Sequence, residues 1–214
     1  MDISDRYYYV YKYCLERVKK SDRIVRQLTK SEFWQLKRSR VPEQKIGLIS
    51  GLDETQAQEF ARLRHQIAHK LSYLVYDRPH PGASATLEKL QQLGIDLVVM
   101  TMRRTCELEA AFKQHDLGRF FSVDRCYCIS DRYVKTGDVK DKPLLMAKAL
   151  RELPPASDLW MVGDTEADIV AAKTHQVKVI AVLSGIRDRA QLELYQPDYI
   201  VNNLEEAASV VSGR

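Results

Sequence analysis

Apolar residues in the first part of the chain recur at spacings of three and four. Tyr7, Val10, Tyr11, Cys14, Leu15 and Val18 make one face of a helix that Ser4 or Asp5 would cap and that runs to about Lys19. Thr29 or Ser31 starts a second helix through Phe33, Trp34 and Leu36. Pro42 opens a third over Glu43 to Ser50, stopped by Gly51. Asp53-Glu54-Thr55-Gln56 opens a fourth, long helix with Ala57, Phe60, Ala61, Leu63, Ile67, Ala68 and Leu71 on its apolar side. No strand-like alternation interrupts residues 1–78, so they read as a small helical bundle.

The pattern changes after the breaker Pro79-His80-Pro81-Gly82. A helix from Ala83 to Leu93, ended by Gly94, leads into the apolar strand Leu97-Val98-Val99-Met100. A helix (Cys106 to His115), a strand (Cys126 to Ile129) and a helix (Pro143 to Leu153) follow. Then come the strand Leu159-Trp160-Met161-Val162, a helix from Ala167 to His175, the strand Val179 to Val182, and a short strand Tyr199-Ile200-Val201. Apolar strands alternating with amphipathic helices predict an α/β domain over 79–214, with a parallel sheet covered on both faces. Ligands of such sheets bind beyond the carboxyl ends of the strands.

Charge divides at the same place. Residues 1–80 carry 16 Lys and Arg against 10 Asp and Glu, whereas residues 81–214 carry 17 against 19. A basic surface attracts phosphorylated metabolites, nucleic acid or acidic partners. Tyr7, Tyr8, Tyr9, Tyr11 and Tyr13 invite comparison with a base-stacking platform, but tyrosines at helical spacing ordinarily serve as core and rim. Nucleic acid is therefore not the expected partner. No stretch reaches the roughly 18 apolar residues of a membrane span. The polar start Met1-Asp2-Ile3-Ser4-Asp5-Arg6 is not a secretory signal. Cys14, Cys106, Cys126 and Cys128 are then expected to be free thiols in a reducing cytoplasm.

Three strand ends carry candidate chemistry. Thr101 follows the first apolar strand, and its hydroxyl with the next backbone amides can hold an anionic oxygen. Lys142, before Pro143, can project an ammonium toward the same crevice. In Gly163-Asp164-Thr165-Glu166-Ala167-Asp168, the two aspartates stand four apart on one face of a first helical turn. Two hard carboxylates at a strand end suit Mg2+, because an acid beyond the helix cap is costly unless a cation neutralises it.

In this order, these segments resemble the haloacid dehalogenase superfamily of Mg2+-dependent phosphohydrolases. The strand ending in Thr101 is similar to that family's second motif, Lys142-Pro143 to its third, and Gly163 to Asp168 with Ile169-Val170-Ala171-Ala172-Lys173 to its fourth. The downstream Val179-Ile180-Ala181-Val182-Leu183-Ser184-Gly185 fits the same pattern. Residues 1–78 resemble the helical cap of phosphoglycolate phosphatase-like members, which closes over the site and selects the substrate. The resemblance implies a Rossmann-like core over 79–214, Thr101 and Lys142 on the phosphoryl oxygens, and Mg2+ on Asp164 with Asp168 supporting. It also implies a small phosphorylated metabolite as substrate. His65, His69 and His80 are candidates for the cap face of the cleft, and Arg103 and Arg104 for extending the positive field.

Two departures stand out. The family's first motif is an apolar strand ending in Asp-x-Asp, whose first Asp attacks phosphorus. Here Met1-Asp2-Ile3-Ser4 is similar only to the tail of that motif. The resemblance thus implies a nucleophile a few residues upstream of Met1, a shortened N-terminus and an inactive chain. An extension of about 10–15 residues, enough for one strand and its turn, is expected to restore activity. It also implies a sheet without its central strand, with a slot roughly 9–10 Å wide between the strands ending at Thr101 and Gly163. The alternative is a non-catalytic protein that holds an anionic ligand or partner through the basic cap. The second departure is Gln176, where the family usually ends a helix with glycine; a left-handed glutamine costs about 1 kcal/mol.

Overall fold

The computed structural model describes residues 1–20 and 24–213. They form two compact units: Met1–Arg78 with Ile186–Asp188, and Pro79–Gly185 with Arg189–Arg214.

The first unit is helical: α1 (Ser4–Val18), α2 (Lys30–Arg38), α3 (Glu43–Ile49), α4 (Glu54–Ile67) and α5 (Leu71–Leu74). Thr29 and Asp53 cap α2 and α4, each in a reciprocal capping box with Glu32 and Gln56. At α1 the cap differs from expectation. Ile3 stands at the N-cap, and the Asp2 carboxylate accepts from the Ser4 amide at 2.8 Å. The fourth helix stops at Ile67, so Leu71 belongs to the separate turn α5. Val10, Tyr11, Cys14, Leu15, Phe33, Ile46 and Phe60 form the core. Tyr11 is fully buried and stacks on Phe33, with ring centroids 4.7 Å apart. Tyr9 and Tyr13 lie at the rim against Tyr76 and Tyr73. Asp2 and Arg78 exchange backbone hydrogen bonds, bringing the two ends of this helical stretch together.

The second unit runs α6 (Ala83–Gln92), β1 (Val99–Arg104), α7 (Thr105–His115), β2 (Cys126–Ile129), α8 (Asp138–Glu152), β3 (Trp160–Gly163), α9 (Glu166–Thr174), β4 (Lys178–Val182), α10 (Arg189–Glu193), β5 (Tyr199–Val201) and α11 (Leu204–Val211). All strand pairs are parallel, as the alternation of elements predicts. The strands form two sheets, β1–β2 and β3–β4–β5, with no ladder joining β1 to β3 among the described residues. The break falls where the sequence leads one to expect a central strand to be wanting.

Burial records the break. In β4, Val179, Ile180 and Ala181 are fully buried, whereas most of β1 and β3 remains half-buried. A cavity of about 550 Å³ lies at the start of both edges, lined by Val98, Leu159, Trp160, Leu150, Leu153 and Val211 among others. Helix α8 packs on β1, β2 and α9, and Met100 of β1 joins the cluster around Met146 and Met161. The two sheets are thus held by side chains across a gap that backbone hydrogen bonds do not cross. Among the described residues, no helix is long and apolar enough to span a membrane.

Candidate functional site

Strand β3 ends in Gly163, and the chain turns at Asp164 into α9. A β-carbon on Gly163 would collide with the side chain of Asp168, and one on Gly185 with that of Asp164. Both glycines therefore let a carboxylate lie directly on backbone, a close approach that any other residue would block.

Asp168 is buried, 4% exposed, yet both its oxygens are engaged. Oδ2 accepts from the Asp164 amide at 3.1 Å, the Thr165 amide at 3.0 Å and the Thr165 hydroxyl at 2.7 Å. Oδ1 receives the Lys142 ammonium in a buried ion pair. Burial alone would raise the Asp168 carboxyl. The Lys142 charge, with hydrogen bonds from Lys142 and Thr165, outweighs it and holds the group below the usual carboxylate range. Thr165 caps α9 in a box with Asp168. The pattern Thr-x-x-Asp at a helix start carries that signal in the sequence, though it does not show that the acid also takes up a lysine.

Lys142 sits within α8 and not before it. The helix starts at Asp138 because the Asp141 carboxylate gathers the Thr136 amide and hydroxyl (2.8 and 2.6 Å) and the Gly137 amide (3.2 Å). Pro143 follows in the second turn, where its carbonyl faces His175 Nε2 at 2.8 Å. Lys142 is thereby 7% exposed and anchored at both ends, by helix and by ion pair.

Thr101 lies inside β1, which extends to Arg104, beyond the expected end at Met100. The regular register with β2 does stop at Met100, and the ladder resumes at Arg104. In the interval the Thr101 hydroxyl accepts from the Arg103 amide at 3.1 Å. The structure thus joins Lys142, Asp164, Thr165 and Asp168 in one hydrogen-bonded group and sets Thr101 at an irregular step of a different strand. Among the described residues, no three His, Cys, Asp or Glu side chains converge as a metal cluster.

The donor chemistry still suits Mg2+. This ion commonly takes one or two carboxylates and completes its shell with water and substrate oxygens. Asp164 and Asp168 are the carboxylates at the end of β3 that would supply such oxygens, those of Asp168 also holding Lys142 and the Asp164–Thr165 turn.

The sequence pattern of haloacid dehalogenase-like hydrolases matches residues 7–176. Pyrophosphatase PpaX of Bacillus mycoides (strain KBAB4) is 27% identical over 165 residues, covering 77% of this chain and 74% of that protein. Among solved structures, a predicted phosphatase from Clostridium acetobutylicum superposes with a TM-score of 0.68 at 21% identity, covering 100% of this chain and 93% of the other. A putative phosphatase from Clostridium difficile gives 0.73 at 18% identity, covering 98% and 92%. At such identities the superpositions speak to the fold alone. The sequence match spans the helical unit and most of the parallel-stranded unit, including Thr101, Lys142, Asp164 and Asp168, and on that ground the chain belongs to the haloacid dehalogenase-like hydrolases.

Proposed function

We propose that the chain is built to hydrolyse a phosphate monoester of a small metabolite, with Mg2+ as cofactor and residues 1–78 as the cap that selects the substrate. The observation that carries this reading is the buried Lys142–Asp168 pair tied to the Asp164–Thr165 turn at the end of β3. An ammonium has three donor protons, and Asp168 takes one, leaving two for phosphoryl oxygens. Thr101 supplies a hydroxyl for a further oxygen. Asp164 would hold Mg2+, which when bound neutralises charge on the transferring group.

The reaction class calls for a carboxylate that attacks phosphorus, forms an aspartyl-phosphate and is regenerated by water. No strand stands between β1 and β3 among the described residues to present such a group. We therefore expect these 214 residues to release phosphate at or near background. The second reading, a non-catalytic protein holding an anion through its basic first unit, is favoured by the same break.

The test is Mg2+-dependent phosphate release from p-nitrophenyl phosphate. It compares the 214-residue chain with one extended through any codons that precede Met1 in frame. Activity confined to the extended chain, and lost with Asp164→Asn, supports the enzyme. Inactivity of both, with anion binding retained, supports the binding protein.

A further inference from the structure

Helix α1 carries a pocket on one side. Asp5, Tyr8, Tyr9 and Lys12 recur at spacings of three and four, which sets them along one face. With Tyr76 and Arg78 they line a cavity of about 170 Å³, and all six residues belong to the helical unit. That volume is more than ten times the roughly 10–15 Å³ that one water needs, so a tetrahedral oxyanion fits. The walls are aromatic. Tyr9 and Tyr76 stack with centroids 4.5 Å apart and planes 21° from parallel. The Tyr8 hydroxyl donates to the Leu28 carbonyl at 2.9 Å, which fixes the third ring. Lys12 is half-buried, its Nζ 5.1 Å from the Tyr8 centroid and 5.9 Å from that of Tyr9. Two ring faces thus hold the ammonium at the pocket before any ligand arrives.

The charges that line the cavity do not balance. Its carboxylate, Asp5, is engaged by Lys30 at 2.6 Å. Among the described residues neither Lys12 nor Arg78 forms an ion pair. Arg78 turns Nη1 to the carbonyls of Val75 and Asp77, at 2.5 and 2.8 Å. Three cations therefore stand against one carboxylate, an excess of two positive charges. A single unpaired lysine on a surface is ordinary. Two unpaired cations on one concavity with ring walls are a different case, because low-dielectric walls focus the field into the hollow.

We infer that this pocket binds a dianionic oxyanion, the phosphate group of a small molecule, with Lys12 and Arg78 as its cationic walls and the rings of Tyr8, Tyr9 and Tyr76 as its frame. The site is not part of the hydrolase reading and does not depend on it.

The full chain is treated with the acetyl ester of N-hydroxysuccinimide at rising concentrations of inorganic phosphate, of sulfate and of acetate. Ionic strength is held constant with chloride. Acetylation of Lys12 is followed by peptide mass mapping, with Lys148, 57% exposed, as the internal reference. Phosphate and sulfate should slow modification of Lys12 saturably and leave Lys148 unaffected. Acetate, with one charge, should need about tenfold more. Arg78→Gln should raise the half-protecting phosphate concentration about tenfold while the readout stays on Lys12. Asp5→Asn, which removes the repelling carboxylate from the cavity wall, should lower it. Lys142→Met, in the strand-end group of the other unit, should leave it unchanged. The inference is overturned by the absence of saturable protection at Lys12, by equal slowing of Lys148, by protection from acetate as effective as from phosphate, by an Arg78→Gln chain that behaves as the parent, or by loss of protection in Lys142→Met.

Discussion

Asp168→Asn tests the strand-end group most directly. The substitution keeps size and shape but removes the charge and replaces one acceptor by an NH2. In the native site three donors converge on one oxygen and Lys142 on the other. An asparagine can turn its single oxygen to one set only, and its NH2 then faces donors. If the oxygen stays with the Asp164–Thr165 turn, Lys142, 7% exposed, keeps its charge with no counterion. Breaking a buried ion pair in this way costs about 3–5 kcal/mol. That is a fifth or more of the roughly 5–15 kcal/mol that holds a typical domain. For a chain of this size it corresponds to a drop in midpoint of roughly 6–20 °C. Urea and thermal unfolding at neutral pH measure it.

Lys142→Met should cost less, because Asp168 keeps its three other donors, and the double variant should cost well under the sum of the singles. The pH dependence has a definite sign. The folded carboxyl sits below its unfolded value of about 3.9. The stabilisation is therefore complete above that value and is lost as pH falls through the folded pKa. A loss under about 1 kcal/mol for Asp168→Asn, or additive singles, would refute the view that this pair organises the strand end.

Gln176→Gly should stabilise the second unit by roughly 0.5–1 kcal/mol, since Gln176 holds φ at +57° at the end of α9; no rise in the urea midpoint would count against it. Gly185→Ala puts a methyl group into the Asp164 side chain. It should cost about 1–3 kcal/mol and, in an active extended chain, weaken Mg2+ dependence, read from unfolding and from the Mg2+ concentration that half-saturates turnover. Cys14 is buried and its thiol is pushed up to about 12 by burial; iodoacetamide at pH 8 should modify Cys106, Cys126 or Cys128 while leaving Cys14 untouched until denaturant is added, as peptide mass mapping will show.

The sequence by itself determined the kinds of element and their order, because the periods of helix and strand are written in local apolar spacing. Helices α2 and α4 were legible from Thr29-x-x-Glu32 and Asp53-x-x-Gln56, which satisfy their own first amides. The left-handed Gln176 was legible because a helix that ends without glycine must still turn. The acids and the lysine of the candidate site were legible as residues at strand ends. Their partnership was not, since Lys142 and Asp168 stand far apart in the chain and meet only when α8 packs on α9.

Boundaries were decided by tertiary pairing. Strand β1 starts at Val99, where Cys126 begins to pair with it, and Val98 instead lines the cavity at the sheet break. Helix α8 begins at Asp138 because Asp141 folds back on Thr136 and Gly137, a contact that outweighs the usual preference for proline in the first turn. The sharing of Glu43 between Lys37 and Arg64 was likewise decided only by the fold. A helix pattern shows which face is apolar, but not which charges three separate segments will bury together.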